Sequence, residues 1–133
     1  MLAAADRVVR SPGASPIDLF TANIRAAVDR IIPPDDWPAG WDGGVSAYVS
    51  QSNGELDWAR PALGWLDAAL DTAAQGGSFA ALTAERQDAI LTSFEVTDEP
   101  PGAAEHFAAL CRICWEGFYA SSAHRDPIAR HTP

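Results

Sequence analysis

The 133-residue chain sets nine Arg and no Lys against eighteen Asp and Glu, for a formal charge of −9. Its middle carries the imbalance: residues 31–105 hold two Arg and thirteen carboxylates, a field that repels phosphate backbones and sets nucleic acid aside as a partner. With 47% hydrophobic and 20% charged residues, the composition suits one folded domain, neither a disordered chain nor two separate cores.

Alanine, the best intrinsic helix former, occurs 26 times, and no long stretch alternates apolar with polar residues. The expectation is an all-α fold: a compact bundle of about five short-to-medium helices with irregular Pro/Gly loops. Residues 1–14 read as a flexible arm, 15–121 as the single helical domain and 122–133 as an irregular tail.

Ser15 and Pro16 offer a capping hydroxyl followed by a residue whose fixed φ suits a first turn, so a helix is expected to start there. Ile17, Phe20, Ile24, Val28 and Ile31 continue it as one apolar stripe until Pro33 and Pro34. The loop DDWPAGWDGG (35–44) is rich in turn formers. A short helix is expected from about Gly44 to Gln51, with Val45, Tyr48 and Val49. A third runs from Leu56 or Pro61 to Ala74, with Leu63, Leu66 and Leu70 inward and Gly76 and Gly77 ending it. Thr83 caps a fourth, whose buried face is Ile90, Leu91 and Phe94, with a break from Val96 to Pro101. The last helix, from about Gly102 to Ala120, has the strongest periodicity: Phe107, Leu110, Cys111, Cys114, Trp115 and Phe118.

No apolar run of signal-peptide length follows Arg7 and Arg10, which are not a twin-arginine pair, and no stretch approaches the roughly 20 apolar residues that cross a bilayer. The expectation is a cytoplasmic chain, or a periplasmic one if a leader has been removed.

Sites of chemistry are scarce. Cys111 and Cys114 form a CxxC, but mid-helix on an apolar stripe, where free Cys behaves as a small hydrophobe and no helix N-terminus lowers its pKa. His106, His124 and His131 lack metal spacing, and Asp35, Asp36 and Asp42 read as solvated turn residues. There is no GxSxG, phosphate loop or dinucleotide fingerprint. No catalytic, cofactor-binding or metal residue is assigned. Trp37 and Trp41 stand out because they lie in a loop. Aromatics displayed there either meet a partner or fold back over a small core.

Three segments, in order, carry a resemblance. They are AAVDRIIPPDD (26–36) with GGVSAYV (43–49) after it, LTAERQDAIL (82–91), and HFAALCRICWEGFYA (106–120). The chain resembles the gluconate 2-dehydrogenase subunit 3 family, the small subunits of flavin-dependent sugar dehydrogenases. It departs from that pattern in showing no twin-arginine leader and in continuing after Tyr119 with ASSAHRDPIARHTP, where the family often has a Tyr-Gly-Gly-Asn stretch.

The resemblance implies a non-catalytic partner. Its role would be folding, stability or export of a large flavoprotein of the glucose-methanol-choline type, which binds FAD and oxidises sugars, sugar acids or glycosides. A cytochrome c subunit often accompanies such pairs. Trp37, Trp41, Trp115, Glu116, Phe118 and Tyr119 are the candidates for the contact. The alternatives are a free-standing helical module that holds a small ligand or an unrelated protein, and a redox enzyme using Cys111 and Cys114.

Overall fold

The computed structural model describes residues 16–125, with side chains from Ile17 to Ala120. The arm 1–14, Ser15, and His131 with the rest of the chain beyond Arg125 lie outside the described residues. Five α-helices account for most of the chain: α1 (Ala22–Ile31), α2 (Ser46–Gln51), α3 (Arg60–Ala73), α4 (Ala84–Thr97) and α5 (Ala103–Arg125). No strand occurs among the described residues, so the fold is all-α.

The first helix begins later than the Ser15–Pro16 pair suggests. Pro16–Leu19 is a 3-10 turn, and Thr21 caps α1, its Oγ1 accepting the Ile24 N–H at 3.3 Å. The same hydroxyl donates to Asp67 Oδ1 on α3 at 2.7 Å, so the cap also latches two helices together. Beyond α1, backbone crowding dictates the glycines. A Cβ on Gly43 would sit 2.7 Å from the Pro38 carbonyl oxygen, and Gly44 adopts φ 151°, closed to other residues. The chain therefore passes Trp41–Val45 as a π turn that feeds directly into α2.

Pro61 lies in the first turn of α3, where a missing N–H is harmless, and Gln75 and Gly76 end the helix with positive φ. Thr83 caps α4 as the sequence indicates, Oγ1 accepting the Arg86 N–H at 3.2 Å. That helix runs through Val96 to Thr97 before breaking at Asp98. Asp98 then serves the next helix: its carboxylate accepts the N–H groups of Gly102 at 3.1 Å and Ala104 at 2.9 Å. Helix α5 continues to Arg125, so helix occupies the start of the tail expected from residue 122.

Helix α5 packs against all four other helices and against the 41–45 turn. Phe20, Ile24, Val28, Val45, Leu63, Leu66, Leu70, Phe94, Leu110, Ile113 and Cys114 converge on it as one core. Two buried polar residues sit at the edge of that core. Asn23, 8% exposed, donates from Nδ2 to Asp71 Oδ1 at 2.8 Å, while its Oδ1 accepts the Ala80 N–H at 3.1 Å and Ser78 Oγ at 3.2 Å. Gln87, 7% exposed, donates to the Phe79 carbonyl at 2.9 Å. Together they tie α1, α3 and α4 to the 78–81 turn.

Two outcomes follow. Asn23→Leu leaves the Ala80 N–H and one Asp71 acceptor unpaired, and should cost about 2 kcal/mol or more in urea unfolding. Asp98 is held below the usual carboxylate range by its bonds from Ala104 and Gly102. Its contribution is therefore present above the ordinary Asp pKa and is lost as pH falls through the lower, folded-state value. Asp98→Asn, which keeps an acceptor but does not titrate, should flatten the acid limb of Tm against pH.

Candidate docking surface

One stripe of α5 faces outward at helical steps of three and four: Arg112, Trp115, Glu116 and Tyr119. Trp115 is 43% and Tyr119 62% exposed, their rings stacked with centroids 5.8 Å apart. From the 3-10 turn Asp57–Ala59, Trp58 joins them, 42% exposed, with the Arg112 guanidinium 4.4 Å from its ring centroid. Large aromatics this open are the residues a partner would bury.

A polar chain runs along this stripe and holds Trp58 in place. Arg112 Nε donates to Glu116 Oε2 at 3.1 Å, and the Tyr48 hydroxyl donates to Glu116 Oε1 at 2.9 Å. The Glu116 carboxylate is held below its ordinary range, chiefly by the Arg112 bond and further by Tyr48. Burial, then the bond to Glu116, pushes the Tyr48 phenol up. The run Trp58–Arg112–Glu116–Tyr48 thus links the 57–59 turn, α5 and α2. Gly117 permits it, since a Cβ there would lie 3.1 Å from the Tyr48 side chain.

The structure brings together Trp115, Glu116, Phe118 and Tyr119, with Phe118 half-buried against the core and edge-on to Tyr119. Trp41 goes elsewhere. It stacks on Phe20 at 5.3 Å, lies under Arg25 at 4.8 Å, and its backbone N–H donates to Asp29 at 3.0 Å. Of the two outcomes its loop position leaves open, display or folding back, the π turn produces the second. Trp37 is partly buried on a turn closed by Asp35, whose carboxylate accepts the Trp37 backbone N–H at 2.9 Å. Trp58 and Arg112 were the residues that sequence reasoning missed. Trp58 lies between helices and so belongs to no periodic stripe.

Behind Trp115 lies a cavity of about 550 Å³ between α1, α4 and α5, bordered by the Arg30–Asp88 ion pair, Phe107 and Cys111. Burial, with Glu95 nearby, pushes the Cys111 thiol up to about 11, and burial raises Cys114 further. Thiols held protonated are poor nucleophiles. His106 packs at a tilt against Trp65, ring centroids 4.6 Å apart. Among the described residues no group of three His, Cys, Asp or Glu could hold a metal, and no helix is long and apolar enough to cross a membrane.

A family model, gluconate 2-dehydrogenase subunit 3, matches residues 21–127, taking in every helix and the whole outward stripe of α5. The chain belongs to that family. It is thus an accessory subunit of a dehydrogenase complex, and its partner is a catalytic subunit. No curated protein and no solved structure matches it. Within the family model's span, the Glu116–Gly117 pair has a physical reason: the first residue anchors the polar chain and the second admits Tyr48.

Cys111 and Cys114 should resist iodoacetamide at neutral pH in the folded chain and react once it is unfolded. Rapid labelling of the native protein would instead show thiolate character that the packing denies.

Proposed function

We propose that this chain is the non-catalytic subunit that binds and stabilises an FAD-dependent dehydrogenase chain of the glucose-methanol-choline type, acting on sugars, sugar acids or glycosides. FAD resides in that partner, and a cytochrome c subunit completes the complex where electrons leave it. The observation that carries the docking assignment is the exposed Trp115–Tyr119 stack on α5 together with Trp58, which the Arg112–Glu116–Tyr48 chain holds. The family supports the kind of partner; the aromatic face supports the place.

The mechanism is mass action. A subunit that binds only the folded catalytic chain stabilises it by RT ln(1 + [L]/Kd), about 2.7 kcal/mol at a hundredfold excess over Kd. The net charge of −9 favours a partner face that carries Arg or Lys around its apolar centre, which speeds encounter and fixes register. Trp115 and Tyr119 are two ring systems at low rotamer cost, the type of residue that dominates interface energies.

The test is capture of the catalytic chain by tagged variants whose helical content matches wild type. Trp115→Ala and Trp58→Ala should each weaken capture by about 2 kcal/mol, roughly 30-fold. Trp41→Ala should lower the chain's own Tm, because it removes a core stack. Undiminished capture by Trp58→Ala, Trp115→Ala and Tyr119→Ala together would move the interface off this face.

A further inference from the structure

Away from the α5 face, α3 and α4 enclose an open groove of about 880 Å³. The two helices are joined by the short 74–83 connection and run in opposite directions, as the Trp65–Phe94 contact at 6.5 Å shows. Ala68, Ala69, Ala73 and Ala89 make its floor shallow-sided, and Trp65 and Phe94 close one end.

Two charges mark the ends. Arg86 borders the groove beside the start of α4, and Glu99 borders it beyond the end. Of the five arginines whose side chains are described, four are engaged. Arg25 bonds the Phe20 carbonyl, Arg30 pairs with Asp88, Arg60 with Asp57, and Arg112 with Glu116. The Arg86 guanidinium has no side-chain or carbonyl partner among the described residues, in a chain with twice as many carboxylates as cations. The Glu99 carboxylate likewise makes no ion pair there.

The backbone of both groove walls is satisfied within its own helix, so the floor offers no N–H or C=O to an extended segment. A helix brings its backbone already satisfied and needs only an apolar stripe. From Arg86 to Thr97 the wall is about 16 Å long at 1.5 Å per residue, the length of a three-turn helix.

We infer that the α3–α4 groove receives an amphipathic helix of the catalytic chain, with a carboxylate in its first turn on Arg86 and a Lys or Arg in its last turn on Glu99. That charge order is the one a helix dipole favours, and it sets the incoming helix parallel to α4. The inference rests on the accessory-subunit reading and adds to it a second contact, chemically distinct from the aromatic face.

The experiment uses the complex captured by the full chain, with a photo-crosslinking residue at the exposed position 89 and mass spectrometry of the products. A crosslink to a segment of the catalytic chain with apolar residues at three- and four-residue steps, an acid before them and a base after, is the expected result. Ala89→Trp, at a solvent-facing position that keeps the fold, should weaken capture at least tenfold. Arg86→Glu should weaken it severalfold, with a loss that shrinks in high salt. Full-strength capture by Ala89→Trp would overturn the groove's role while leaving the accessory reading in place. So would crosslinks only to residues 1–15 of this chain, to a small molecule, or to nothing. If the wild-type chain captures no catalytic chain, the accessory reading itself falls, and the inference with it.

Discussion

The candidate site depends on one close approach, the ring of Tyr48 resting against the bare backbone of Gly117. That contact brings α2 down onto α5 and lets the Tyr48 hydroxyl reach Glu116. Glu116 in turn holds Arg112, and Arg112 holds Trp58. Any larger residue at 117 would have to displace the ring by several tenths of an ångström, and the aromatic face would lose its anchor at one end. Because α5 also touches every other helix, the same helix organises the core on one side and presents the docking face on the other.

How much of this was legible depends on what each signal reports. The Thr83 cap, the end of α3 near Gly76 and the inward run Phe107, Leu110, Cys114 all follow from local chemistry or simple periodicity, and they stand. The start of α1 did not, because Ile17 and Phe20 keep helical spacing across a 3-10 turn, and Ser15–Pro16 offers the same local cue as Thr21. What settled it was Asp67, 46 residues away, bonding the Thr21 hydroxyl. Asn23 and Gln87 carry no sequence signal of their burial for a related reason: their partners on α3 and in the 78–80 turn lie outside any local motif.

The tryptophans make the same point for function. Trp41 in its Pro/Gly loop was open to display or to folding back, and Trp115 was a contact candidate that shares a helix stripe with core residues; the structure folds the first back and leaves the second exposed. The π turn at Gly43–Gly44 folds Trp41 onto Phe20, whereas α5's register turns Trp115 outward beside Tyr119. Loop composition says where a chain turns; it does not say which way a ring points afterwards. The family, by contrast, was legible from the order of short segments along the chain, with no knowledge of their contacts.

The central claim is that this chain exists to hold a flavoprotein. Affinity purification of the tagged chain from its own cells, with an absorbance spectrum of the eluate, tests that most directly. The account predicts a large dehydrogenase chain eluting in fixed ratio with this one and carrying the yellow absorption of bound flavin. A colourless, monodisperse chain eluting alone would contradict it.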